Sequence, residues 1–172
     1  MELEAKFEVD RDYNEELLAK GLKYKKDAHQ RDNYYIVDYP YYLRLREDVK
    51  NGKYSLDFHE NIKGVGAKET EISLNSLEDL RKMEYILQKL NLVVKCVVDK
   101  KRKVYVKEDF EVVFDEVDNL GRFVEVELEA ENTKDNLDRL NKFAAELGLK
   151  EENKATKGGY PELCMRKNGI AI

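Results

Sequence analysis

Cysteine and histidine are scarce in this chain, and their scarcity closes off two kinds of chemistry. Cys96 and Cys164 are the only thiols and stand far apart, which excludes a disulfide framework and a CxxC metal site. They read as buried or incidental thiols. His29 and His59 are the only histidines, so a histidine-rich zinc site is excluded as well. No apolar run approaches the roughly 20 residues of a membrane span, and the N-terminus begins at once as amphipathic sequence with no signal peptide. The expectation is a soluble, cytoplasmic protein with no membrane partner. No stretch rich in proline, glycine or serine divides the 172 residues, and no internal repeat or low-complexity segment is evident. One domain spanning residues 1–172, with one core, is therefore expected. A basic excess is also lacking. The net charge of -5 argues against broad nucleic-acid binding, because a polyanion partner requires a basic face. A local basic tunnel is compatible with that balance, and nothing in the sequence opposes a homodimer.

What the chain does have is charge: 39% of residues are charged and 42% apolar, enough hydrophobic surface to fold but many ions to place. Glu2 to Val9 alternates strictly, with Glu2, Glu4 and Lys6 on one side and Leu3, Ala5, Phe7 and Val9 on the other. This predicts a strand with two unlike faces. A short helix is predicted from Glu15 to Lys23, on the stripe Leu17, Leu18 and Leu22. The tyrosine-rich run Tyr34 to Tyr42 contains Pro40 and reads as extended structure broken by a turn. Alternation returns with Leu43 and Leu45 facing away from Arg44 and Arg46. Asn51-Gly52 then signals a hairpin whose return strand is Tyr54 to His59. A flexible loop, Ile62 to Gly66, and a strand, Lys68 to Leu74, follow. Ser76 with Asp79 has the form of a capping box for a helix carrying Leu77, Leu80, Met83, Ile86, Leu87 and Leu90 on one face. Three strands come next, Val93 to Val106, Phe110 to Val117 and Arg122 to Ala130, then a helix from Thr133 to Leu147 that Gly148 stops.

The charges are sorted by strand. Acids mark the first and last strands (Glu2, Glu4; Glu125, Glu127, Glu129) and bases mark the middle ones (Arg44, Arg46; Lys100, Arg102), each pair at the spacing that places both side chains on one face. Two readings follow from spacing alone. In one, the charges form cross-strand salt bridges on a wet face, each contributing little. In the other, the amphipathic helices cover the apolar face, the sheet closes, and the polar face lines an interior that serves a charged ligand. Arg and Lys would there hold phosphate, and converging carboxylates a hard divalent cation.

The order of motifs resembles the CYTH superfamily of triphosphate tunnel metalloenzymes across almost the whole chain. Glu2-Leu3-Glu4-Ala5-Lys6 looks like its ExExK signature; Gln30, Asp32, Tyr34 and Tyr35 resemble its Q-x-D-x-Y-Y stretch; and Leu43-Arg44-Leu45-Arg46 resembles its L-R-x-R strand. Lys68-Glu69-Thr70-Glu71 and Lys100-Lys101-Arg102 look like the R-x-E-x-E and K-x-R motifs. The block from Phe114-Asp115-Glu116-Val117 through Leu120-Gly121-Arg122-Phe123-Val124-Glu125-Val126-Glu127 is nearest to the class IV adenylyl cyclase branch. The resemblance implies an α+β fold, a closed antiparallel β-barrel with helices packed outside. It implies that Glu2, Glu4, Asp115, Glu125 and Glu127 hold Mg²⁺ or Mn²⁺. Lys6, Arg44, Arg46, Lys100 and Arg102 would hold a small-molecule triphosphate and neutralise charge in the transition state. The implied activity is cyclisation of ATP to cyclic AMP and pyrophosphate, or hydrolysis of thiamine triphosphate, nucleoside triphosphate or tripolyphosphate. The alternative is a non-catalytic triphosphate- or polyphosphate-binding module.

The chain departs from the pattern in three places. Leu56-Asp57-Phe58-His59 stands where the family usually has a lysine after L-T-x, so a permanent cation is replaced by an imidazole that is mostly neutral at pH 7. His59 is then either structural or a phosphate donor, and Lys63 is a substitute if its loop folds inward. The segment between Tyr35 and Arg44 is shorter than usual, and Gly159-Tyr160 replaces Ser-Tyr.

Overall fold

The computed structural model describes residues 2–38, 40–62, 66–156 and 158–170. Lys63 and the centre of the loop expected around it lie outside the described residues. In chain order the elements are β1 (Glu2–Val9), α1 (Asn14–Ala19), β2 (Lys23–Asp38), β3 (Tyr41–Asp48), β4 (Lys53–Ile62), β5 (Gly66–Leu74), α2 (Leu77–Lys89), β6 (Val94–Lys107), β7 (Phe110–Val117), β8 (Gly121–Glu129), α3 (Lys134–Glu146) and α4 (Tyr160–Lys167). The fold is α+β with an antiparallel sheet. Its strands hydrogen-bond in the order β1-β8-β7-β6-β2-β3-β4-β5. β1 and β5 are the two ends of that order, so the closed barrel expected from the sequence is not seen. Closure would need a ladder between the end strands, and among the described residues β1 pairs with β8 and β5 with β4. The chain falls into two compact units, Met1–Asp27 with Lys101–Thr156, and Ala28–Lys100 with Lys157–Ile172.

In the first unit the register decides the faces. β1 and β8 pair Leu3 with Leu128, Ala5 with Val126 and Phe7 with Val124, so both strands turn their aliphatic side chains to one side. Phe110, Val112 and Phe114 of β7 join them in one buried cluster. Helix α3 covers that face with Leu140, Phe143, Ala144 and Leu147, and the Phe143 and Phe110 rings stack at 4.0 Å. Thr133 caps α3, its side chain accepting from the Asn136 amide. Gly148, at a φ of +82, takes the left-handed turn that ends it. Helix α1 is shorter than expected: Gly21, also at φ +82, breaks the chain out of the helix, and Lys23 opens β2 rather than closing α1.

In the second unit the β3–β4 hairpin turns at Asn51-Gly52, with Gly52 at φ +62 and the Asp48 carboxylate accepting from Asn51 Nδ2 at 2.7 Å. Tyr35 and Leu45 pack with Leu80 and Leu87 of α2 on the apolar face. Ser76 caps α2 as expected, accepting from the Asp79 amide at 3.1 Å. The apolar stripe of α2 is narrower than its sequence suggests. Leu77, Ile86 and Leu90 are 40%, 47% and 64% exposed, because a single sheet face covers only the row through Leu80, Met83 and Leu87.

The start of the tyrosine run, read as extended, is the end of β2; the part of β2 from Lys23 up to that run was not read, because it lacks an apolar alternation. Helix α4 starts after Gly159 with Pro161 in its first turn, a position where proline's missing amide costs nothing. It lies against β6, with Cys164 Sγ donating to the Val97 carbonyl at 3.6 Å and Cys96 Sγ to that of Pro161 at 3.8 Å. Its Tyr160 ring sits 5.4 Å from Lys100 Nζ. α4 is thus the exception to helices packing on apolar faces: it covers the side of β6 that carries Lys100.

Candidate functional site

Each unit carries a buried polar cluster on the sheet face opposite the core that α3 or α2 covers. In the first unit the register pairs Glu4 with Glu127 and Lys6 with Glu125, and pairs Glu127 with Glu111 across β7 and β8. Lys6 Nζ lies 2.7 Å from Glu125 Oε1. Arg102 grips the Asp115 carboxylate through Nε at 2.8 Å and Nη2 at 2.6 Å, and Nη2 also reaches Glu125 at 2.9 Å. Lys6, Asp115 and Glu125 are all buried. Burial works against a charged Lys6, but Glu125 and then Glu4 outweigh it and raise its pKa.

The carboxylates of this cluster also act on one another. Burial first, and then the neighbouring Glu125 carboxylate, pushes Glu127 up to about 9, with Glu2 and Glu111 adding to the effect and Arg102 opposing it. An oxygen-only donor set of closely placed carboxylates suits a hard divalent cation. Among the described residues, however, no three of His, Cys, Asp and Glu converge at the spacing of a bound ion. The donor chemistry fits Mg²⁺ or Mn²⁺; the carboxylates stand as repelling neighbours rather than as a formed cage.

In the second unit the cluster is built on β2, β3, β4, β5 and the first half of β6. Pairing places Asp32 beside Arg46, Tyr34 beside Arg44, Arg44 beside Asp57 and Tyr42 beside His59. Arg46 makes two hydrogen bonds to Asp32, both at 2.7 Å, and Lys100 adds a third at 2.9 Å. Asp32 is fully buried. Burial alone would raise its pKa, but Arg46, Lys100 and Arg44 together hold it well below the usual carboxylate range. Arg44 donates to Asp57 at 2.9 Å and to Glu69 at 3.4 Å. His59 is buried, with Nδ1 3.2 Å from Glu69 and its ring stacked on Tyr42 at 5.0 Å. Burial first, then Arg44, lowers the imidazole to about 3, so His59 is neutral.

Within the first unit the fold brings together Lys6, Arg102, Asp115, Glu125 and Glu127, with Glu2 and Glu4 on the same face. Within the second it brings together Arg44, Arg46, Lys100 and His59. The sequence reading assigned no role to the counter-ions Asp32, Asp57 and Glu69. Their pairing is a matter of register: Asp32 and Asp57 lie on strands next to β3, which carries Arg46 and Arg44, while Glu69 reaches Arg44 from one strand further on.

Residues 1–158 match the family described as the CYTH domain. The chain belongs to the CYTH domain family. It is 30% identical over 176 residues to a Methanocaldococcus jannaschii protein named "Putative adenylate cyclase", covering 95% of this chain and 98% of that one. Among solved structures, a Pyrococcus horikoshii protein superposes with a TM-score of 0.86 at 26% identity, over 95% of this chain and 99% of that one. A Hippeastrum protein named "Putative adenylyl cyclase", with a dominant triphosphatase activity, has a TM-score of 0.64 at 19% identity, over 100% and 98% of the two chains. That likeness concerns fold alone. In this CYTH chain no helix is long and apolar enough to cross a membrane among the described residues.

Proposed function

We propose that this CYTH chain is a metal-dependent enzyme acting on a triphosphate, either cyclising ATP to cyclic AMP and pyrophosphate or hydrolysing a terminal phosphate. The proposal includes the closed tunnel that the sequence resemblance implies. The observation that carries it is that Lys6, Arg44, Arg46, Lys100 and Arg102 are held buried or half-buried on polar sheet faces, each by a carboxylate. Burying so many ions in water-poor surroundings costs several kcal/mol each unless partners compensate. A set of pre-paired cations that can exchange internal carboxylates for phosphate oxygens is a cradle for a polyanion. Arg44, Arg46 and Arg102 would grip phosphate oxygens in pairs, while Lys6 and Lys100 would act as point charges. The carboxylates Glu2, Glu4, Asp115, Glu125 and Glu127 would hold Mg²⁺ or Mn²⁺, which supplies Lewis-acid polarisation of the phosphoryl oxygens when bound. The relative from Methanocaldococcus jannaschii, named for a cyclase, supports the same substrate class.

His59 supports a second reading. A neutral imidazole at a position the family fills with a cation weakens phosphate contact, leaving a triphosphate- or polyphosphate-binding module without turnover. Incubation with ATP, thiamine triphosphate and tripolyphosphate under Mg²⁺ or Mn²⁺ separates the cases. Cyclic AMP identifies a cyclase, released phosphate a hydrolase, and binding without product the module; no binding of any triphosphate refutes the proposal.

A further inference from the structure

His59 turns one nitrogen to a carboxylate and has the other without a hydrogen-bond partner among the described residues. Its Nδ1 stands 3.2 Å from Glu69 Oε1. An ionised carboxylate only accepts, so Nδ1 carries the proton and Nε2 is left as a lone pair. Nε2 is buried and has no hydrogen-bond partner among the described residues. A buried acceptor without a donor is destabilising, so its retention asks for a ligand that donates. The ring is also held in place: it stacks on Tyr42 at an interplanar angle of 14°, and Tyr34 closes in at 6.5 Å.

Protonation offers no escape from this arrangement. Arg44 and Arg46 on β3 and Asp32 on β2 bear on the ring electrostatically, as does Asp57 on its own strand, and burial with Arg44 keeps it neutral. Glu69 faces it from β5, and Glu162 of α4 acts on the Tyr42 it stacks upon. The role of a lysine, donating to phosphate, is closed to a lone pair, which repels phosphate oxygen. An O–H group is the complementary partner.

We propose that His59 accepts, through Nε2, the hydrogen bond of the water or hydroxyl that attacks the triphosphate, and that Glu69 is the positioning residue that fixes this tautomer. The inference rests on the triphosphate reading above. Arg44 donates to the same Glu69 carboxylate that holds His59, so the orienting nitrogen and a phosphate-binding guanidinium share one anchor. In the reaction the nucleophile's oxygen bonds to phosphorus as the bond to the leaving phosphate or pyrophosphate oxygen breaks and takes its electron pair. The nucleophile's proton passes to the phosphate products or to solvent, and His59 ends as it began. Strong basicity is unnecessary, because phosphoryl transfer through a loose transition state depends chiefly on where the nucleophile is held.

The test compares wild type with His59→Leu, His59→Gln, His59→Lys and Glu69→Ala, measuring kcat and KM with tripolyphosphate and ATP under Mg²⁺ or Mn²⁺. His59→Leu and His59→Lys are expected to lower kcat by about 10²-fold or more with KM unchanged or, for lysine, lower. His59→Gln, whose amide oxygen can accept, recovers part of the loss, and Glu69→Ala lowers kcat and shifts its pH profile. A change in KM alone, or a lysine variant faster than wild type, overturns the proposal. Nitrogen-15 NMR of labelled histidine in wild-type protein, with and without tripolyphosphate, needs no turnover. It is expected to show a bare Nε2 whose resonance moves on ligand addition; a proton on Nε2, or no movement, overturns the inference. A wild type that turns over no triphosphate refutes the enzymatic reading separately, while the resonance still decides whether Nε2 meets the ligand's water.

Discussion

Arg46 and Asp32 form a two-pronged ion pair, with guanidinium Nε and Nη2 each 2.7 Å from a different carboxylate oxygen. The aspartate is fully buried, so removing its charge leaves Arg46 and Lys100 facing low dielectric without an anion. Asp32→Asn is expected to destabilise the protein by about 3–5 kcal/mol, read from the urea unfolding midpoint. The pKa of Asp32 is depressed on folding, so its stabilisation is present above the unfolded carboxylate value of about 3.9 and lost as pH falls through the folded one. Between about pH 5 and 2 wild type should therefore lose more stability than Asp32→Asn.

Glu127 has the opposite sign. Its folded pKa, about 9, lies above the unfolded one, so the folded state binds the extra proton and stability falls as pH rises between the two values. Without divalent ions, Glu127→Gln is expected to raise stability at pH 8 by about 1–3 kcal/mol and to flatten that slope. Addition of Mg²⁺ or Mn²⁺ should raise the melting temperature of wild type and leave the variant unmoved. An equal metal response in both would count against Glu127 as a ligand.

Arg102 reaches two carboxylates at once, a geometry that a lysine cannot copy. Arg102→Lys is expected to weaken tripolyphosphate binding about 10- to 100-fold, on the order of 1.4–2.8 kcal/mol, in isothermal titration, with the circular dichroism spectrum unchanged.

The stack of Phe143 on Phe110 joins α3 to the sheet. Phe143→Ala is expected to cost about 3–5 kcal/mol, read from thermal unfolding. Because Phe143 touches the face opposite the charges, ligand affinity per folded molecule should not change.

Local sequence settled what needs only a residue and its near neighbours. The strict alternation of Glu2 to Val9 determined which side chains share a face, since the strand period is 2 whatever the partner. Ser76 and Thr133 determined where two helices begin, because a cap acts on an amide three residues on, and Gly148 determined where one ends. The misses have two sources: Gly21 was a local stop signal of the same kind as Gly148 but was read as part of the helix, and no alternation marked the first half of β2.

Tertiary structure decided everything that depends on register and burial. Asp32 lies far along the chain from Lys100, and only their meeting turns it from a motif letter into the counter-ion of two bases. His59 read as a structural residue or a phosphate donor; burial beside Arg44 made it neutral, and Nδ1 facing Glu69 left Nε2 as an acceptor. Whether the ends of the sheet pair is likewise a property of strands distant in sequence, which alternation within each strand cannot specify.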